Sequence, residues 1–151
     1  GDLDLYVAND YGRNCLYRND NGYFANVAEA VGAQDDAASG MSACWGDYNH
    51  DGLMDIYVSN MFSAAGNRIA FQNQFHPEMS QQTKALVQRN ARGNSLFASR
   101  GDGTFADVSV DAGVTMGRWA WGSLFVDLNN DGWEDLVVPN GFLTADDTGD
   151  L

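Results

Sequence analysis

Two nine-residue stretches of the sequence carry carboxylate and amide side chains at alternating positions. They are Asp47-Tyr-Asn49-His-Asp51-Gly-Leu-Met-Asp55 and, eighty residues later, Asp127-Leu-Asn129-Asn-Asp131-Gly-Trp-Glu-Asp135. In each, side-chain oxygens stand at loop positions 1, 3, 5 and 9, and glycine at position 6 permits a sharp turn around one point. Ca²⁺ prefers about six to eight such oxygen ligands. The spacing therefore predicts a calcium site in each loop.

The predicted ligands are all oxygen donors. They are Asp47, Asn49, Asp51, Asp55 and the Leu53 carbonyl for one ion, and Asp127, Asn129, Asp131, Asp135 and the Trp133 carbonyl for the other. A partial third site is predicted at Asp4, which aligns with Asp55 and Asp135 but is accompanied only by the carbonyl of Asp2. No Cys or His stands at a ligand position, so Zn²⁺ and copper fit poorly, and Mg²⁺ prefers fewer protein ligands.

Metal-free Asx turns are the alternative for these loops, because Asp and Asn also hydrogen-bond nearby backbone amides. Three carboxylates within nine residues repel one another unless a cation compensates them, which favours the metal. The pattern is not an EF-hand, since Val58 and Val138 stand where that motif has glutamate. Calcium is thus the favoured ligand.

The acidic loops recur within a longer repeat. Asn14-Cys-Leu-Tyr, Gly22-Tyr-Phe and Gly32 match Asn94-Ser-Leu-Phe, Gly103-Thr-Phe and Gly113, with one residue inserted in the later copy. Leu5-Tyr-Val, Ile56-Tyr-Val and Leu136-Val-Val have strand composition, and Asn21-Gly22 and Asp102-Gly103 are typical of hairpin turns. Four short strands per period predict an all-β fold of β-propeller blades. The predicted blade repeats within one segment, 1–151, are 1–51, 52–131 and 132–151.

One helical insert is predicted near 77–91 within the stretch 61–93. Pro77 and Glu78 are typical of a helix start, and Gly93 can end the helix. Arg68, Lys84, Arg89 and Arg92, half of the eight basic residues, lie in this insert. A solvated helix face is favoured over an anion site as the explanation of this charge.

The acidic loop resembles the FG-GAP (VCBS) repeats of integrin α-subunit propellers. The block at 14–32, repeated at 94–113, is similar to the ASPIC/UnbV and cartilage acidic protein group. The resemblance implies a Ca²⁺-stabilised propeller, usually extracellular, cell-surface or periplasmic, that serves adhesion. Because family propellers have about seven blades, we expect this segment of two to three blades to belong to a longer protein or to assemble with further copies of itself.

The amino-acid composition limits the classes of partner that this chain is expected to bind. The 151 residues carry a net charge of −13, which disfavours nucleic acids and anionic membranes. No apolar run reaches the ~20 residues of a membrane-spanning helix, so no membrane insertion is expected. Cys15 and Cys44 match no zinc pattern; we favour two unpaired side chains over a disulfide.

The favoured hypothesis for function is a non-enzymatic calcium-binding module that meets a protein or glycan ligand. No catalytic constellation is recognised, because neither His50 nor His76 has a nucleophilic partner. The alternatives are the propeller portion of an enzyme that acts on an extracellular polymer, and a self-assembling structural subunit. The first alternative rests on the fold alone.

Overall fold

The computed structural model describes residues 2–141 and contains three antiparallel sheets and three helices. The first sheet consists of β1 (Leu5–Val7), β2 (Cys15–Asp20) and β3 (Tyr23–Asn26). The second consists of β4 (Gly40–Gly46), β5 (Asp55–Asn60), β6 (Ser95–Ser99) and β7 (Phe105–Asp107). The third consists of β8 (Leu124–Val126) and β9 (Asp135–Val137). The helices are α1 (Ala28–Val31), α2 (Ala64–Ala70) and α3 (Gln81–Arg92).

Consecutive strands pair in every sheet, and the second sheet is a complete four-stranded blade. The first sheet contains the counterparts of its last three strands, and the third sheet contains the counterparts of its first two. The predicted all-β, propeller-like fold is therefore confirmed. A new sheet begins at β4 and again at β8, one strand before each acidic loop. The predicted repeats, in contrast, are divided inside the acidic loops. The predicted third repeat continues beyond residue 141, outside the described part of the chain.

Hairpin turns lie where the sequence predicts them. Asn21 and Gly22 join β2 to β3 with φ of +54° and +91°, left-handed values that favour Asn and Gly. The turn between β6 and β7 contains Gly103 at φ +84°. These turns set the register of the strands on either side of them.

The core lies between the first two sheets. Its largest buried members are Tyr6 and Leu16 from the first sheet and Ile56, Val58 and Phe97 from the second. The Tyr6 hydroxyl donates to the carbonyl of Ala33 at 2.9 Å, so the one polar atom of that ring is satisfied. Burial raises the pKa of Tyr6 well above its ordinary value. Tyr6 in β1 and Leu16 in β2 are each buried between two more exposed neighbours, as expected where successive side chains point to opposite faces of a strand.

The second and third sheets also pack against each other. The ring of Phe125 meets that of Tyr57 edge to face, with centroids 6.3 Å apart. Ser42 Oγ and Ser123 Oγ lie 3.3 Å apart across the same interface. Gly46 is buried against Phe125, where the absence of a side chain lets the two sheets approach.

A pair of asparagines closes the connection between the second and third strands of a blade. Asn9 N–H donates to Asn14 Oδ1 at 2.8 Å, and Asn9 Nδ2 donates to the carbonyl of Arg13 at 2.7 Å. Asn60 repeats both bonds, with Asn94 Oδ1 at 2.8 Å and with the carbonyl of the residue before it at 2.9 Å. We call this arrangement the asparagine clamp.

The predicted helix in the insert is confirmed, but it begins at Gln81 rather than near residue 77. Ser80 is its N-cap, and its Oγ accepts from Thr83 N–H at 3.1 Å. Pro77 precedes the helix in a turn closed by the bond from Met79 N–H to the carbonyl of His76. The Ser80 side chain accepts from a free amide in the first turn of the helix, which a proline cannot do. Ser80 is therefore the N-cap, and the helix begins at the next residue. The second helix, α2, was not predicted, because it is short and contains Gly66.

Two arginines of α3 fasten the insert to the sheets. Arg89 pairs with Asp35, which is only 3% exposed, and both bond Ser95 Oγ. Arg92 pairs with Asp107 of β7 at 2.5 Å. Burial lowers the pKa of Arg89, although the charge of Asp35 opposes this shift. Half of the basic cluster therefore holds the insert in place and is not a free anion site.

Asp107 is expected to contribute to acid sensitivity. Burial raises its pKa, but hydrogen bonds from Ser109 and Arg92 outweigh that effect, and the net pKa is below the ordinary value. Its stabilising contribution is therefore present above the unfolded-state pKa near ~4 and is lost as the pH falls through the lower folded-state pKa. Asp107→Asn should cost about 1 kcal/mol at pH ~7, and that difference from the wild type should shrink towards pH ~3. Urea unfolding at both values measures this.

The exposed Asp111→Asn serves as the control, because it follows β7 closely in sequence but lies outside the Arg92 pair. It should leave unfolding within about 0.5 kcal/mol of the wild type at both pH values. Parallel acid curves for the wild type and Asp107→Asn would contradict the assigned role.

Candidate metal centre

The two acidic loops occupy equivalent places, between β4 and β5 and between β8 and β9. Each connects the first strand of a blade to the second, as the sequence predicts. Glycine at loop position 6 has φ of +82° in Gly52 and +89° in Gly132, which is the left-handed turn that glycine supplies. Before β1, Asp2 to Asp4 occupy the place that the last residues of each acidic loop occupy before β5 and β9.

In the first loop, carboxylates accept hydrogen bonds from backbone amides. Asp47 Oδ1 accepts from Asp51 N–H at 3.0 Å, and Asp47 Oδ2 accepts from Gly52 N–H at 2.9 Å. Asp51 Oδ1 accepts from Leu53 N–H at 2.9 Å. These bonds bring loop positions 1 and 5 onto the same side of the turn. The partial positive charge of these amide hydrogens also compensates part of the negative charge of the carboxylates.

The second loop repeats these bonds. Asp127 Oδ1 accepts from Asp131 N–H at 3.1 Å, and Asp127 Oδ2 accepts from Gly132 N–H at 2.9 Å. Asp131 Oδ1 accepts from Trp133 N–H at 2.8 Å. That bond, followed by the one from Asn129, lowers the pKa of Asp131. The shared pattern shows that the side chains at these positions determine the loop conformation.

The asparagine at position 3 makes two hydrogen bonds to the aspartate at position 5 in each loop. Asn49 Nδ2 donates to Asp51 Oδ2 at 2.9 Å, and Asn49 Oδ1 accepts from the Asp51 backbone at 3.2 Å. Asn129 makes the same contacts with Asp131, both at 2.9 Å. Asparagine therefore places its oxygen on the inner side of the turn with no additional negative charge.

Asp55, at position 9, joins the loop to the sheet. It is fully buried; its Oδ2 accepts from Tyr48 N–H at 3.1 Å and its Oδ1 from Ser99 N–H at 2.8 Å. Burial raises the pKa of Asp55, and these two bonds oppose the shift. Asp135 repeats the first bond with Leu128 N–H at 3.1 Å. Asp4 repeats the second with Asn19 N–H at 2.8 Å, so the alignment of these three residues in the sequence is also an alignment in space.

The donor set of each loop fits calcium in its chemistry. Each loop carries three carboxylates and one amide oxygen within nine residues, and every carboxylate oxygen that accepts one amide hydrogen keeps a further lone pair. The geometry is that of Asx turns: within residues 2–141 no group of three or more His, Cys, Asp or Glu side chains is arranged to hold a metal ion. Backbone amides compensate the carboxylates in this arrangement.

The two loops touch each other. Glu134, at position 8 of the second loop, accepts from Asp47 N–H through Oε2 at 3.1 Å. The ring of His50 stacks on that of Trp133, with centroids 4.0 Å apart and planes inclined by 23°. Glu134 was not predicted as a functional residue, because position 8 has no ligand role and Met54 stands there in the first loop. Both contacts place the two loops side by side on one edge of the molecule.

The cysteines take no part in this site. Cys15 and Cys44 are both free and half-buried. Burial raises the pKa of the Cys44 thiol, which keeps it protonated and less nucleophilic. The preference for unpaired cysteines is in agreement with this arrangement.

Antiparallel blades with an acidic loop between the first two strands define a class of propeller-like repeat proteins. The chain belongs to the family of FG-GAP-like repeats, whose model matches residues 1–58 and 85–138. The unmatched stretch between these ranges contains α2 and the start of α3. FG-GAP repeats are typical of extracellular proteins. Among residues 2–141, every helix is too short or too polar to span a bilayer.

The chain is also similar to cartilage acidic protein 1 of Mus musculus. The two are 24% identical over a 172-residue alignment that covers 91% of this chain and 26% of that protein. The chain thus spans about a quarter of the length of this relative. The resemblance to the cartilage acidic protein group in the blocks at 14–32 and 94–113 is confirmed by this match.

Proposed function

We propose that this chain is a calcium-binding, propeller-type module that serves extracellular interaction or adhesion. One observation carries the calcium part of the proposal. Two loops with the same oxygen donors adopt the same hydrogen-bonded turn at equivalent places in adjacent blades. Membership of the FG-GAP-like family supports the interaction part.

The proposed ion is structural. Asp47, Asn49, Asp51, Asp55 and the Leu53 carbonyl would hold one ion, and Asp127, Asn129, Asp131, Asp135 and the Trp133 carbonyl the other; Asp4 belongs to a partial third site. Calcium supplies positive charge that neutralises each loop. The loop residues orient their oxygens and link the first strand of the blade to the second. Binding free energy is then folding free energy.

The partner we propose is a protein or a glycan met outside the cell. The net charge of −13 keeps the surface away from nucleic acids and anionic membranes. This chain spans about a quarter of the length of cartilage acidic protein 1. An interaction role for a complete protein that contains this chain is therefore part of the same proposal. No described feature favours an enzymatic role over this one.

Thermal unfolding followed by circular dichroism tests the calcium proposal, with millimolar Ca²⁺ and then with chelator. An ion present at about 100 times its dissociation constant adds ~2.7 kcal/mol, which should raise the melting temperature by roughly 5 to 10 °C. Asp51→Asn keeps the oxygen that accepts from Leu53 N–H and removes one charge. It should lose about half of the calcium response, whereas the chelated protein should lose only the exposed bond from Asn49 Nδ2, about 0.5 to 1 kcal/mol. Asp131→Asn should behave in the same way.

Asp111→Asn, an exposed change outside both loops, is the matched control and should respond to calcium like the wild type. The calcium proposal is overturned if wild-type melting is the same in calcium and in chelator. It is also overturned if Asp51→Asn lowers the melting temperature equally in both.

A further inference from the structure

The turn between β6 and β7 carries the tripeptide Arg100-Gly101-Asp102 at its exposed tip. The ladder of this hairpin extends to the pair Ser99 and Phe105. Beyond it, Arg100 N–H donates to the carbonyl of Thr104 at 2.9 Å. The tripeptide therefore projects from a closed hairpin and not from a loose loop.

One carboxylate oxygen of Asp102 accepts hydrogen bonds from Thr104, and the carboxylate stays ionised. Its Oδ1 accepts from the Thr104 hydroxyl at 2.6 Å and from Thr104 N–H at 2.9 Å. These two bonds lower the pKa of Asp102, so the carboxylate is ionised throughout the neutral range. Oδ2 takes no part in the hydrogen bonds found within residues 2–141. An incoming cation can therefore bind this oxygen without breaking the turn.

Gly101 separates the two charges and fixes the direction of the turn. Its φ is +75°, and a Cβ added there would lie 3.3 Å from Leu53 Cδ1 in the first acidic loop. The base of the hairpin is held by the bond from Ser99 N–H to buried Asp55. Glycine at the centre of the tripeptide is thus favoured by its left-handed backbone conformation, whereas the Leu53 side chain would need to move by only a few tenths of an ångström.

The corresponding turn of the first sheet shows that this tip is not a general feature of the blades. That turn is one residue shorter and is built from Asn21 and Gly22. The arginine near it, Arg18, bonds Asp20 at 2.9 Å, and no glycine separates the two in an Arg-Gly-Asp order. In the second sheet, the additional residue places an arginine and an aspartate on either side of a glycine.

We propose that this tip is a recognition site for a cell-adhesion receptor that binds Arg-Gly-Asp. Such a receptor offers a carboxylate to the guanidinium of Arg100 and a divalent cation to the free oxygen of Asp102. A preformed hairpin lowers the ordering cost of binding. The inference rests on the interaction role proposed above, but it uses other residues than the predicted calcium ligands.

Binding to the ectodomain of an integrin that binds Arg-Gly-Asp peptides tests this proposal, by biolayer interferometry with divalent cation present throughout. The wild type should bind, and a Gly-Arg-Gly-Asp-Ser peptide should compete. Asp102→Glu keeps the charge but moves the carboxylate by one methylene, and it should weaken binding about tenfold or more. Asp20→Glu, in the turn of the first sheet, is the matched control and should bind like the wild type.

The proposal is overturned if the wild type does not bind, or if Asp102→Glu binds as tightly as the wild type. Calcium-dependent melting of the same preparations separates this result from the calcium proposal. A protein that gains stability from calcium but does not bind the ectodomain overturns the receptor site alone. A protein that binds the ectodomain without any calcium response overturns the calcium sites alone and supports the receptor site.

Discussion

Replacing Arg89 by Met is expected to destabilise the protein by about 3 to 5 kcal/mol. Arg89 is the cationic partner of Asp35, which is 3% exposed. Without the guanidinium, a buried carboxylate has no compensating charge, and Ser95 Oγ is the remaining side chain bonded to it. Met fits a helix and keeps much of the side-chain volume, so the loss measures the missing charge.

Urea unfolding of four proteins measures this effect: the wild type, Arg89→Met, Asp35→Asn and the double variant. The double variant should be more stable than Arg89→Met by at least ~1 kcal/mol, because a neutral amide at position 35 no longer needs a cation. Lys84→Met, on the same helix, is the control and should cost less than about 0.5 kcal/mol. A cost below about 1 kcal/mol for Arg89→Met, or strictly additive costs in the double variant, would contradict the role given to this pair.

Gly46→Ala is expected to destabilise the protein by about 1 to 3 kcal/mol. The added Cβ would overlap the ring of Phe125, because Gly46 lies directly against it at the junction of the second and third sheets. Its backbone φ is not in the left-handed region, so the expected loss comes from the overlap and not from backbone strain. Relief of the overlap requires the two sheets to move apart.

Thermal and urea unfolding check this expectation, and Phe125→Ala provides a second test. Phe125→Ala should itself be destabilising, and Gly46→Ala should cost clearly less in its background, because the ring is gone and only the Cβ of residue 125, 2.8 Å from the added Cβ, still overlaps it. Gly141→Ala is a control for adding a methyl group, since that Cβ would meet Trp121 at an ordinary 3.7 Å. The same loss from Gly46→Ala with and without the Phe125 ring would show that the cost has another source.

Much of the fold could be predicted from the repeat in the sequence. Three short apolar runs, beginning at Leu5, Ile56 and Leu136, lie in paired strands except for Val138 at the end of the third. The dipeptide Asn21-Gly22 forms the predicted hairpin turn. These features are local: the side-chain period, the turn residues and the repeat spacing act within a few residues of one another.

The contacts that join the elements could not be predicted in this way. Asp35 and Arg89 are 54 residues apart in sequence, and Glu134 reaches Asp47 across 87 residues. Only the packing of the sheets and the insert brings such groups together. Arg100-Gly101-Asp102 is visible as a tripeptide, but its position at the tip of a closed hairpin depends on the pairing of β6 with β7.

The acidic loops illustrate a different difficulty. Repulsion between the carboxylates of one loop favoured a metal ion in the sequence analysis. In the folded loop, however, backbone amides donate to Asp47 and Asp51 and oppose this repulsion. Amide dipoles compensate part of the charge, so the pattern by itself is compatible with a loop that has no ion. The donor types were predictable, whereas their partners required the turn geometry.

The asparagine clamp bears on how this architecture can be varied. In the first sheet it closes a connection of a few residues, from Asn9 to Asn14, and in the second it closes a connection that includes two helices, from Asn60 to Asn94. The strands on either side are paired in both cases. Since each doubling of loop length costs only about 0.6 kcal/mol in closure entropy, new segments can be grafted at this point with little effect on the ladder. Blades of this type can therefore diversify by accepting foreign segments between two asparagines.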